Sequence, residues 1–160
     1  MLPDVLEQNL KVVFCGTAVG TKSAERQAYY AGPGNKFWKI LHNVGLTPHT
    51  LQPEEYHTLP KYRLGLTDLV KRKSGMDADL ESNDFDIASF EEKILMFSPQ
   101  IVCFNGKKAA KEFLSVKKVG YAFLDEKIGG TRLFVAPSTS GAANGYWDDK
   151  HWIHLSRAFK

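Results

Sequence analysis

The sequence predicts an α/β fold: three layers, α/β/α, around a central, mostly parallel sheet. Three observations carry that expectation. Apolar runs of strand length recur at residues 10–15 (LKVVFC), 62–70 (YRLGLTDLV), 101–104 (IVCF) and 131–136 (TRLFVA). Segments with apolar residues at helical spacing separate them. Each run passes into a loop rich in glycine, serine or polar residues. Near-continuous apolar strands that alternate with helices belong to parallel sheets covered on both faces and joined by right-handed crossovers.

The first run is β-branched and ends in a turn at Gly16. Beyond the loop at 16–33, residues 35–44 set Phe37, Trp38, Leu41 and Val44 at helical spacing. That helix begins near Gly34 or Asn35, with Asn35 as a candidate N-cap, and stops at Gly45. Residues 47–61 form a connection containing proline and histidine, with a short helix opened by Pro53, Glu54 and Glu55. The second run is a short strand leading into a loop, and residues 71–84 are polar, of mixed charge, and read as a surface loop. A helix over 87–97, opened by Asp86 or Ser89, places Phe90, Ile94 and Phe97 on one face and ends before Pro99. The third run leads straight through Asn105 and Gly106 into a lysine-rich helix reaching Leu114. The last strand stops at Pro137, and a final helix spans 147–159.

At 160 residues the chain suits a single domain spanning 1–160, long enough to bury roughly 70% of its unfolded surface. Cys15 and Cys103 lie inside apolar runs, where cysteine behaves as a small buried hydrophobe, so a disulfide framework is not expected and a reducing compartment fits. The start of the chain lacks a basic segment followed by an apolar one, and no apolar run reaches the roughly 18 residues of a spanning helix. The expectation is a soluble cytoplasmic protein, nucleoid-associated if bacterial. A formal charge of +3 permits an anionic partner without demanding one. Lysines cluster at Lys107, Lys108 and Lys111 and at Lys117 and Lys118, while Arg26, Lys36 and Lys39 surround the glycine–proline stretch. The histidines show no metal-ligand spacing: His151 and His154 are three apart without suitable partners. The glycine–serine–glycine elbow of a serine hydrolase is absent as well.

In open α/β sheets ligands bind outside the carboxyl ends of the strands. Four loops leave such ends here. GTAVG, residues 16–20, lets backbone amides approach a ligand closely, or is simply a turn. Asp68 either caps a turn or aims a carboxylate into the pocket. Asn105, Gly106 and Lys107 open a helix whose free amides and dipole suit an anion, or begin a solvated lysine face. PSTSGAAN, residues 137–144, combines three hydroxyls with small residues, as phosphate contacts or as a loop capping the last helix.

FCGTAVG, GPGNKFWK, GLTDLV, VCFNGKKA and PSTSGAAN stand in this order across residues 11–143. Together they resemble the uracil-DNA glycosylase superfamily, most closely its mismatch-specific uracil and thymine glycosylase branch. The resemblance implies a DNA repair enzyme that flips uracil from DNA and hydrolyses its N-glycosidic bond to leave an abasic site. It implies that Tyr30 stacks on the flipped base, with Asn35, Phe37 and Trp38 fixing the wall, and that Gly16, Thr17, Ala18, Asn35 and Asp68 line the base pocket. Ser138 falls near base and sugar, and Gly141, Ala142 and Ala143 form the wedge that enters the duplex, with Asn144 beside it. Gly20, Ser23, Gly106, Lys107, Ser138, Thr139 and Ser140 are implied to meet the DNA backbone. No metal or organic cofactor is implied, and a monomer suits a protein that wraps a bent duplex.

The chain departs from the family pattern at two positions in its first loop. Ala18 stands where an Asn or Asp commonly positions the attacking water, and Val19 stands where proline is usual. Asp68 is the candidate replacement, with Ser138 as a second catalytic candidate, and Glu25 and Gln27, in the variable part of the first loop, rank behind Asp68 for the same role. Asp68 serves either to orient water and stabilise the cationic sugar, or to accept from the pyrimidine N3–H. The rival readings are a glycosylase for hypoxanthine or for thymine opposite guanine, a catalytically silent binder of damaged or abasic DNA, and a nucleotide-binding module.

Overall fold

The computed structural model describes residues 2–70 and 86–158. The surface loop expected at 71–84 lies outside the described residues, as does Phe159 in the expected last helix. Five strands form one sheet: β1 (Val12–Gly16), β2 (Leu64–Asp68), β3 (Ile101–Asn105), β4 (Ala122–Ile128) and β5 (Thr131–Ala136), in the order β2-β1-β3-β5-β4. All pairs are parallel except β4 with β5. The helices are α1 (Thr21–Arg26), α2 (Phe37–Asn43), α3 (Ile87–Phe97), α4 (Lys107–Leu114) and α5 (Asp149–Ser156), with 3-10 segments at Pro53–Tyr62 and Gly141–Tyr146.

Strand alternation builds two cores. Val12, Phe14, Leu64, Leu66, Ile101, Cys103 and Phe134 face one side and pack with Phe37, Ile40 and Leu41 of α2, Leu59, and Trp152 and Leu155 of α5. Val13, Cys15, Val102, Phe104, Leu133 and Val135 face the other, against Phe90 and Ile94 of α3 and Ala109 and Ala110 of α4. Both cysteines are free and buried. Among the described residues no helix is long and apolar enough to cross a membrane.

Three elements differ from the sequence expectation. The first loop contains α1, a helix of 6 residues. α5 begins at Asp149 because the Asp148 carboxylate accepts from the Lys150 N–H at 2.9 Å, and the 3-10 segment precedes it. β4 is an unanticipated edge strand: Asp125, Glu126 and Lys127 are exposed, and such charges discourage an edge from pairing with another chain. Its hairpin to β5 turns through Gly129, at a φ of 58°.

The opposite edge is covered by the N-terminal segment. Val5 bridges Leu66 with bonds of 2.8 and 2.9 Å. Asp4 accepts from Thr67 Oγ1 at 2.8 Å and pairs with Lys93 at 2.7 Å. Gly65 lies beneath this strap, where a Cβ would stand 2.5 Å from the Val5 carbonyl oxygen and 2.7 Å from Leu10 Cδ1. Gly65→Ala is therefore expected to lower stability by about 1–3 kcal/mol through overpacking, read as a lower urea midpoint. An unchanged midpoint would show that the strap yields freely.

Candidate functional site

Four parallel strands end at one edge, at Gly16, Asp68, Asn105 and Ala136. The register sets Gly16 opposite Asp68 and Asn105 opposite Ala136. Asp68 is 4% exposed. A Cβ on Gly16 would lie 3.2 Å from Asp68 Oδ1 and 3.3 Å from the Tyr30 hydroxyl, so a carboxylate and a phenol converge on this backbone, and a side chain here would press on both. The loop beyond β1 is tied to the end of β2 by Leu69 N–H to the Gly16 carbonyl at 3.0 Å and Val70 N–H to the Thr17 carbonyl at 2.7 Å. Thr17 is buried, while Ala18 and Gly20 are partly exposed.

Tyr30 is held at a φ of 52°, a left-handed conformation that non-glycine residues avoid without support. The support comes from its neighbours. The Ala31 N–H donates to Ser23 Oγ at 2.8 Å, and Arg26 Nη1 donates to the Ala31 carbonyl at 3.1 Å. Trp38 Nε1 donates to the Tyr29 carbonyl at 3.0 Å. Arg26 is itself forked onto Glu54, through Nε and Nη2 at 2.8 Å each. The Tyr30 ring stacks on Phe37 at 4.1 Å between centroids. Phe37 in turn packs edge-on against Phe14, whose ring stacks on Trp152. Asn35 Oδ1 accepts from the Phe37 N–H at 3.0 Å, so its side chain supports the start of α2, although Lys36 holds the N-cap position.

The second loop is clamped by Asn105, whose Oδ1 accepts from Thr139 N–H at 3.0 Å and whose Nδ2 donates to Thr139 Oγ1 at 2.9 Å. Trp152 Nε1 donates to the Pro137 carbonyl at 3.1 Å, and Lys36 N–H to the Thr139 carbonyl at 2.9 Å. The two glycine-rich loops meet backbone on backbone: a Cβ on Gly141 would stand 3.3 Å from the Pro33 oxygen. Gly106, at a φ of 107°, packs where a Cβ would come within 3.1 Å of Ser138 Cβ. Ser138 Oγ accepts from Ser140 N–H and Ser140 Oγ from Ala142 N–H, both at 3.2 Å.

Of the hydroxyls expected at the DNA backbone, Ser23 and Thr139 are turned inward as loop braces, while Ser138 and Ser140 are partly exposed. In the wedge segment Ala142 is exposed and Gly141 and Ala143 are half-buried, and Asn144 belongs to the same 3-10 segment. Glu25 is exposed and pairs with Lys22 at 3.4 Å, and Gln27 is exposed. Sequence reading named Trp38 as part of the wall but missed Arg26, Asn105 and the Trp152 indole as positioning groups. The strand-end asparagine was the available signal, and it was read only for the helix it precedes. Lys107 Nζ sits 4.3 Å over the Tyr121 ring, which lies 4.6 Å from His151, and Lys36 stands over Trp147. These groups give the edge a basic rim. Burial, and then Lys150, hold the His151 imidazole below its ordinary pKa. Among the described residues no group of three His, Cys, Asp or Glu could hold a metal ion.

Burial, and after it the charge of Asp68, push both the Tyr29 and the Tyr30 phenols well above their ordinary pKa. Asn105 pulls Tyr30 the other way. Yet the Tyr30 hydroxyl is buried without a hydrogen-bond partner among the described residues, and both polar atoms of that amide are committed to Thr139.

The model of the uracil DNA glycosylase superfamily matches residues 3–158. A solution NMR structure of a candidate uracil DNA glycosylase from Methanosarcina acetivorans is similar in fold, with a TM-score of 0.66 and 24% identity, covering 98% of this chain and 97% of that one.

A phenol whose folded pKa is raised contributes stability that is whole below the unfolded value, about 10, and is lost as pH rises above it. Urea melts at increasing alkaline pH are expected to show that decline. Tyr29→Phe should make it shallower by about 1.4 kcal/mol per pH unit; an unchanged slope would mean that this phenol ionises in the native state.

Proposed function

The chain belongs to the uracil DNA glycosylase superfamily, and from that premise we propose that it flips uracil out of DNA and hydrolyses the N-glycosidic bond to leave an abasic site. The observation that carries this reading is the convergence of Asp68, Tyr30 and Gly16 beneath two loops that approach each other through glycine backbone. Extruding a base costs a few kcal/mol. The outer face of Tyr30, backed by Phe37, offers a flat surface on which stacking returns about 1–3 kcal/mol. The amides of the loop at 16–20 approach the base edge, and Asn35 stiffens the wall through α2.

An ionised carboxylate only accepts hydrogen bonds. Set at the base edge, Asp68 would favour bases carrying a lactam N–H, namely uracil, thymine and hypoxanthine, over cytosine and adenine, whose corresponding ring nitrogen has no proton; set at the sugar, the role taken here, it leaves that N–H to other groups of the pocket. As the bond breaks, positive charge builds on the sugar and Asp68 stabilises it, in a buried position where such a charge acts strongly. The same carboxylate opposes the departing anionic base, so the balance depends on where the sugar sits. Ser138 lies next to base and sugar. Ser140, Gly141, Ala142 and Ala143 enter the duplex from the second loop, and the α4 amides with Gly106 and Lys107 receive a phosphate. The reading takes the chain as one domain acting as a monomer on DNA, without metal or organic cofactor. Ala18, which brings no polar atom to the first loop, is the observation favouring the second reading, a binder of damaged or abasic DNA that does not cut.

Single-turnover incubation with labelled oligonucleotides tests both readings. Each would carry one uracil, single-stranded or opposite A or G, with hypoxanthine and thymine opposite G alongside, followed by alkali. Cleavage at uracil is expected, and Asp68→Asn should slow it by on the order of 10²-fold or more while binding to abasic DNA persists. Cleavage of hypoxanthine alone would move the substrate within the lactam class. Tight binding with no cleavage of any base would establish the silent reader.

A further inference from the structure

Among the described residues one buried side-chain polar atom meets no hydrogen-bond partner, the Tyr30 hydroxyl. Folded proteins rarely leave such a group unmet, because its hydration is lost with nothing in exchange. Its neighbour shows the usual outcome: the Tyr29 hydroxyl donates to the Pro3 carbonyl at 3.0 Å. A phenylalanine at position 30 would stack on Phe37 equally well and leave no orphan, so packing does not explain the oxygen.

Its surroundings do. The Tyr30 hydroxyl and Asp68 Oδ1 lie 3.3 and 3.2 Å from the same point, the place a Cβ on Gly16 would occupy. Gly16 ends β1 directly opposite Asp68, two residues before Ala18, which has no polar side-chain atom to offer. A second polar group that acts on the phenol, the Asn105 amide, is committed to Thr139 through both its atoms. A partner placed between them must be able to meet the phenol and also donate to a carboxylate that only accepts. Water both donates and accepts, and fits between the two groups in that sense.

We propose that Tyr30 Oη and the Asp68 carboxylate together hold the hydrolytic water, replacing the polar side chain that Ala18 lacks. The inference rests on the glycosylase reading and deepens it. The water oxygen forms a bond to C1′ of the deoxyribose as the C1′–N bond breaks, and the base leaves with that electron pair. The proton shed by the water passes to the Asp68 carboxylate. Tyr30 fixes the water's position and keeps its own proton, since burial and the Asp68 charge both oppose ionisation of the phenol. Its left-handed backbone, clamped through Ser23, Arg26 and Trp38, aims ring and hydroxyl together.

Tyr30→Phe is the test, because it removes the oxygen and keeps the ring. With wild type, Tyr30→Phe, Asp68→Asn and the double variant, three quantities would be measured: single-turnover cleavage of whichever lactam base the wild type cuts, equilibrium binding to an abasic-site duplex, and Tm. Tyr30→Phe is expected to slow cleavage by on the order of 10²-fold, with abasic binding within about twofold and Tm at or above wild type. The double variant should be no slower than the slower single one, as two groups acting on one water require. A wild-type rate in Tyr30→Phe overturns the inference and leaves the glycosylase reading standing. So does a loss of binding in step with rate, which would make the hydroxyl a DNA or structural contact. A wild type that cuts none of the bases defeats the glycosylase reading, and this inference with it.

Discussion

The carboxyl edge of the sheet depends on a buried group of aromatic rings. Phe14 on β1, Phe37 on α2 and Trp152 on α5 pack against one another beneath the loops, and Tyr30 is the outermost ring, laid on Phe37. Such rings bury large apolar area, while an indole keeps one polar handle that needs a partner. Here both handles are used on loops. The Trp38 and Trp152 N–H groups each take a loop carbonyl, at Tyr29 and at Pro137. The loops are therefore located by the core, with little regular structure of their own, and a change in core packing would be felt at the site before it was felt in the sheet.

A second level of order comes from what the loops lack. Gly34 and Gly141 permit main chain to lie on main chain, Gly106 permits Ser138 to close over the start of α4, and Gly16 leaves room for two oxygens. Some of the polar groups that this crowding strands from water are satisfied pairwise, Asn105 with Thr139 and Ser23 with Ala31, while the Tyr30 hydroxyl is left over. Rigidity of this kind suits the proposed glycosylase site, which would have to hold a base and a sugar in one geometry, since a shift of a single ångström at a reacting centre costs rate steeply.

The parallel strands and the helices α2, α3 and α4 were legible because their signals are local: apolar runs, helical spacing, and Gly45 and Pro99 as stops. β4 was not, since its exposed charges hide the alternation and its strand character comes from pairing with β5. α1 is too short for periodicity to register. At the site, Asp68 and Tyr30 could be picked out from strand-end placement together with the family resemblance. The groups that position them could not. Asn105 meets Thr139 across 34 residues and Arg26 meets Glu54 across 28, and no spacing rule links such partners. Ser23 and Thr139 show the converse error: a hydroxyl in a loop looks available in sequence, and burial turns it into a brace.

The strap over β2 bears on how the molecule comes to exist. Asp4 finds Thr67 only 63 residues later in the chain, and Val5 needs Leu66 before it can become a strand partner at all. During synthesis the segment holding Asp4 and Val5 therefore emerges before its counterpart, and β2, once made, presents a bare edge until that segment returns. Closing so long a loop is entropically tolerable, but it comes late by topology. Because Tyr29 also reaches back to Pro3, the neighbourhood of Tyr30 and Asp68 is finished by a segment synthesised before either of them.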